Sequence, residues 1–99
     1  MRVVQWTMTI PAELQQDFVE YFHSTLSPTW AKFGSVDHKI LRSEEETGKI
    51  TELLFFPADY DVADFFGRVK SDKEALEISK SYETRFKATN IKREILEQL

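Results

Sequence analysis

Few side chains in this 99-residue, cysteine-free sequence can do acid-base chemistry. The histidines are His23 and His38. His38 lies between Asp37 and Lys39 in a stretch that reads as a strand, and a strand could aim it at an apolar interior. There an imidazole serves as a base or binds a substrate oxygen. The same position also suits a histidine on the surface of an edge strand. His23 follows Phe22 near the end of a helical pattern, where interaction with the helix dipole is sufficient to account for it. The aromatic side chains form the larger set. Trp6, Trp30, Phe33, Tyr60, Phe65, Phe66 and Tyr82 could together line a pocket for a flat apolar ligand, although ordinary core packing would also explain any one of them. Polar tips select among these residues. His38 and Tyr60 are the expected catalytic groups, Trp6, Trp30 and Tyr82 the expected ligand contacts, and Gln5 and Thr7 are added on the sheet face opposite Trp6.

Other chemistries find no support. The two histidines lie on different elements, and Glu44, Glu45 and Glu46 are adjacent and diverge, so no metal site is expected. Without cysteine there is no thiolate nucleophile, disulfide or zinc ribbon, and a reducing cytoplasm is the expected location. Gly34, Gly48 and Gly67 stand alone and make no phosphate-binding loop, and there is no nucleophile elbow. A formal net charge of -4 gives no general attraction for phosphate backbones or anionic lipid. No nucleic-acid partner is expected, and the T-E-L-L-F-F stretch lacks the basic-glycine-aromatic signature of sheet-surface RNA binders. No membrane partner is expected either, since no apolar run approaches the roughly 20 residues of a span. The opening M-R-V-V-Q-W-T-M-T-I, interrupted by Gln5, Thr7 and Thr9, reads as a strand and not as a signal peptide.

The elements that must position these residues follow from periodicity. Val4, Trp6, Met8 and Ile10 alternate with Val3, Gln5, Thr7 and Thr9, which predicts a first strand over 3–10. Pro11 suits a first helical turn, and Leu14, Phe18, Phe22 and Leu26 follow at four-residue spacing, which predicts a helix ended or bent at Ser27-Pro28. Trp30, Phe33 and Gly34 then form an aromatic connection. Residues 36–42 read as a second strand, Glu44 to Gly48 as a hairpin tip, and 49–56 as a third strand closed by Pro57. Helical stretches follow over 62–86. Asp61 is a candidate cap, and the capping-box spacing of Ser71 to Glu74 implies a break near Ser71. Residues 90–99 suit strand or helix, and strand is the reading taken.

One domain over 1–99 is expected, α+β in class, with the ferredoxin-like β-α-β-β-α-β order and an antiparallel sheet. Leu53, Leu54, Phe55 and Phe56 put apolar groups on both faces of the third strand, whereas two helices cover only one face. A second layer is therefore expected. Chain length, element order, the strand running straight into a helix, the broken second helix and the terminal Ile95-Leu96-Glu97 together resemble the dimeric α+β barrel superfamily, which includes the antibiotic-biosynthesis monooxygenase-like and stress-responsive barrel domains. The resemblance implies a homodimer packed sheet against sheet, with a cavity between sheet and helices. Some monooxygenases of that group oxidise polycyclic phenols without metal or flavin, relying on pocket Trp, Asn, Tyr or Arg; this sequence offers Trp, Tyr and His. The resulting expectation is a homodimeric barrel that needs no cofactor and acts on a small aromatic or quinone-like ligand. The alternative is a non-catalytic ligand-binding or regulatory dimer.

Overall fold

The computed structural model describes residues 1–99, and its sheet follows the order expected from the sequence. Strands β1 (Arg2–Thr9), β2 (Asp37–Arg42), β3 (Lys49–Phe56) and β4 (Thr89–Glu97) form one antiparallel sheet in the order β2-β3-β1-β4. The first and third strands are thus central, and the terminal residues are a strand. The helices are α1 (Ala12–Tyr21), a π-helical turn (Phe22–Leu26), α2 (Ser27–Ala31), α3 (Val62–Ser71) and α4 (Lys73–Arg85). No helix is long and apolar enough to cross a membrane.

Two local features depart from the expectation. Pro28 does not end the helical stretch: the backbone widens into the π turn just before it and continues to Ala31, so Trp30 sits in a helix and not in a connection. A proline in a helix interior clashes with the carbonyl four residues earlier, and a wider turn relieves that clash. The turn also serves the apolar stripe. Residues spaced by four drift about 40° per step around a straight α-helix; the π turn takes back part of that drift, and Phe18, Phe22, Leu26 and Trp30 all stay buried. The second departure is the capping residue at the expected break between α3 and α4. There Asp72, not Ser71, is the cap, its carboxylate accepting from the Ala75 N–H at 2.9 Å. Asp61 caps α3 as expected, accepting from the Ala63 and Asp64 N–H groups.

Strand register settles which side chains share a face, because residues directly opposite in a ladder point the same way. On the inner face the helices cover Val4 and Met8 of β1 and Ile50, Glu52, Leu54 and Phe56 of β3. The outer face carries Val3, Gln5 and Thr7 of β1, Thr51, Leu53 and Phe55 of β3, Lys39 and Leu41 of β2, and Leu96 of β4. None of these is fully buried in the single chain, and Leu41 is 51% exposed.

Candidate functional site

One inner-face row passes from β4 through β1 to β3: Arg93 lies opposite Trp6, and Trp6 opposite Glu52. Glu52 is the sole polar residue of the buried core, only 2% exposed. Its side chain is half satisfied. Oε2 lies 3.3 Å from His38 Nε2, while Oε1 has no hydrogen-bond partner. A buried carboxylate oxygen left without a donor in the chain costs stability unless a water or a ligand donates to it.

His38 is held from its other side. Its Nδ1 is 2.7 Å from Ser27 Oγ at the head of α2, and its ring lies on Phe22 with centroids 4.0 Å apart. An assignment of protons that fits this geometry has Ser27 O–H donating to Nδ1 and Nε2–H donating to Glu52, the roles depending on the tautomer. Ser27 follows the π turn directly.

Next to Glu52 is a cavity of about 270 Å³, near the lower end of the roughly 300–1,000 Å³ usual for small-molecule sites. Its apolar walls are Trp6, Leu26, Trp30, Phe65, Phe66, Val69 and Leu76. Edge-to-face packing fixes the rings: Trp6 on Phe66 at 6.5 Å, Trp30 on Phe65 at 6.0 Å, and Phe65 on Phe66 at 5.3 Å. Tyr82 also lines the cavity. Burial, aided by the negative charges of Glu52 and Glu83, pushes its phenol far above the ordinary tyrosine range and keeps it a hydrogen-bond donor. Lys70, Lys80, Glu83 and Arg93 stand toward the solvent side, and the Arg93 guanidinium lies over the Phe66 ring at 4.3 Å.

Of the residues singled out from sequence, the structure brings Trp6, Trp30 and Tyr82 together around this cavity. His38 stands behind it, touching Glu52 without lining the space. Tyr60 lies elsewhere. Its ring stacks on Phe56 at 4.9 Å, its hydroxyl donates to the Phe33 carbonyl, and it crosses over Gly34, where a Cβ would meet the ring at 2.5 Å. Gln5 and Thr7 are on the outer face, opposite Trp6. Sequence reasoning passed over Glu52 and Arg93. The signal for Glu52 was parity, since an acid two residues from both Ile50 and Leu54 must share their face. No group of three or more His, Cys, Asp or Glu side chains is placed to hold a metal ion.

The same α+β fold is found in solved structures of low sequence identity. Among solved structures, a Deinococcus radiodurans protein described as a candidate antibiotic biosynthesis monooxygenase matches over 100% of this chain and 93% of its own, with a TM-score of 0.68 and 11% identity. A NIPSNAP family protein from Agrobacterium tumefaciens matches with a TM-score of 0.67 and 12% identity over 99% of this chain and 86% of its own. An EthD family protein from Bacillus halodurans matches with a TM-score of 0.59 and 19% identity over 100% of both chains. Likeness at these identities is one of fold. By sequence, no family model and no curated protein matches.

Proposed function

We propose that this protein is a homodimeric, cofactor-independent monooxygenase-like enzyme that takes a small hydroxyaromatic or quinone-like compound into the cavity, with Glu52 as the base. The observation that carries the reading is the free Oε1 of a buried carboxylate beside an aromatic-walled space. A flat ring fits between Trp6, Trp30, Phe65 and Phe66, and its hydroxyl donates to Oε1. Transfer of that proton leaves an electron-rich phenolate able to reduce dioxygen. Overall, one O₂ is consumed per ring, one oxygen atom entering the ring to give the quinone and the other leaving as water with the two displaced hydrogens. His38, anchored by Ser27, holds Oε2 so that Oε1 faces the ligand, and Tyr82 donates to the developing oxyanion. The fold shared with the Deinococcus radiodurans protein supports the reading.

The test titrates hydroxynaphthalenes and hydroxyquinones against the protein by fluorescence of Trp6 and Trp30, then measures oxygen uptake with each compound that binds. Glu52→Gln, which keeps an acceptor for His38, is expected to fold normally, bind within a few-fold of wild type and lose oxygen uptake by about 100-fold or more, the usual scale of general-base catalysis. Binding without oxygen uptake in the wild-type protein would favour the non-catalytic ligand-binding reading instead. Failure of every compound to bind would remove the reading.

A further inference from the structure

Resting on that reading, we infer that the ligand of this cavity is two-ended, a hydroxyaromatic compound that also carries an anionic group, such as a carboxylate, at the end away from the hydroxyl. The polarity of the site is divided by depth. The deep end holds the buried Glu52, whose free oxygen accepts a proton donor. The solvent end holds Lys70, Lys80 and Arg93, all exposed, with Glu83 the one carboxylate among them. No carboxylate lies within salt-bridge distance of any of these three cations. Arg93 is the best placed, since its stacking on Phe66 holds the planar guanidinium beside the ring wall, where its N–H fork can take a carboxylate.

The sheet sets the length. Arg93 and Glu52 sit on strands either side of Trp6, so their backbones are two inter-strand spacings apart, roughly 10 Å. A fused two-ring compound substituted at opposite ends has a reach of that order, and Trp6 lies between the two residues in the row. An organic cation would also satisfy Glu52 and the aromatic walls, but its outer end would meet three cations against the single carboxylate of Glu83. A neutral hydroxyl at the inner end and an anion at the outer end satisfy both.

The experiment compares 6-hydroxy-2-naphthoic acid, its methyl ester, 2-naphthol and 2-naphthylmethylamine by tryptophan fluorescence at low and high salt. The acid is expected to bind about tenfold more tightly than the ester, as one charge-assisted pair supplies. That advantage should shrink as salt rises and in Arg93→Gln, and return largely in Arg93→Lys. Equal binding of acid, ester and naphthol would overturn the inference while leaving the hydroxyaromatic reading in place. Tighter binding of the amine would overturn it in favour of an organic cation. No binding by any of the four would overturn both.

Discussion

A carboxyl group on the core side of a strand is the residue-scale feature from which the site follows. Glu52 is tolerated because His38 satisfies one of its oxygens, while no group of the chain donates to the other. Tyr82 reports the same environment from the opposite wall. Its proton is held by burial first and then by the nearby Glu52 and Glu83 charges, so the folded state binds that proton more tightly than the unfolded chain, where tyrosine titrates near pH 10. The sign follows from linkage: the stabilisation is complete below about pH 10 and is lost as pH rises beyond it, by up to about 1.4 kcal/mol per pH unit. Denaturant melts of wild type and Tyr82→Phe between pH 8 and 11.5 should therefore diverge above pH 10, with wild type falling more steeply. Parallel curves would mean that the phenol is not confined as described. Tyr60, by contrast, is a structural clasp in this chain, locking the loop before β2 to the end of β3 across Gly34.

Strand β3 is the element on which both faces of the sheet depend. The sequence reads both as apolar, and the structure separates them: Leu54 is fully buried under the helices, while Phe55 and Leu53 are only half-buried on the outer side, where Lys39 lies over the Phe55 ring at 5.4 Å. Two substitutions should therefore act differently. Leu54→Asp places a lone carboxylate in the core and should cost more than about 4 kcal/mol, enough to unfold a domain of ordinary stability. Phe55→Asp should retain the circular dichroism of the folded chain and lose only what the outer face supports. If Leu54→Asp melted like wild type, the inner packing described for β3 would be wrong.

At the scale of the whole molecule, the outer face is the unfinished surface. Val3, Leu41, Leu53, Phe55 and Leu96 lie on it with Gln5 and Thr7 among them, and a Val, Leu or Phe fully withdrawn from water contributes about 1.5–3 kcal/mol. Closure by a second copy, sheet against sheet, is the arrangement proposed here. Sedimentation equilibrium at micromolar concentration should give twice the 11.6 kDa chain mass for wild type and the chain mass for Phe55→Asp. A wild-type monomer under those conditions would leave the outer face as a single wet layer and remove the dimer from the proposal.

The sequence by itself determined what depends on neighbours along the chain. Alternation placed β1, the apolar run closed by Pro57 placed β3, the Asp61 carboxylate marked the start of α3, and the succession of elements led to the ferredoxin-like order, because each of these signals lies within a few neighbouring residues. Pro28 read as the end or a bend of the first helix because a proline's local clash is visible along the chain, whereas the widened turn that carries the helix on to Trp30 appears only in the packed structure. The site belongs to the tertiary structure. Glu52 meets His38 from one side and a cavity from the other, and shares a row with Trp6 and Arg93, only once strand register and the seating of α2, α3 and α4 are set. No periodicity within a segment specifies which residue of a neighbouring strand will lie opposite, since that depends on the burial of whole faces against one another.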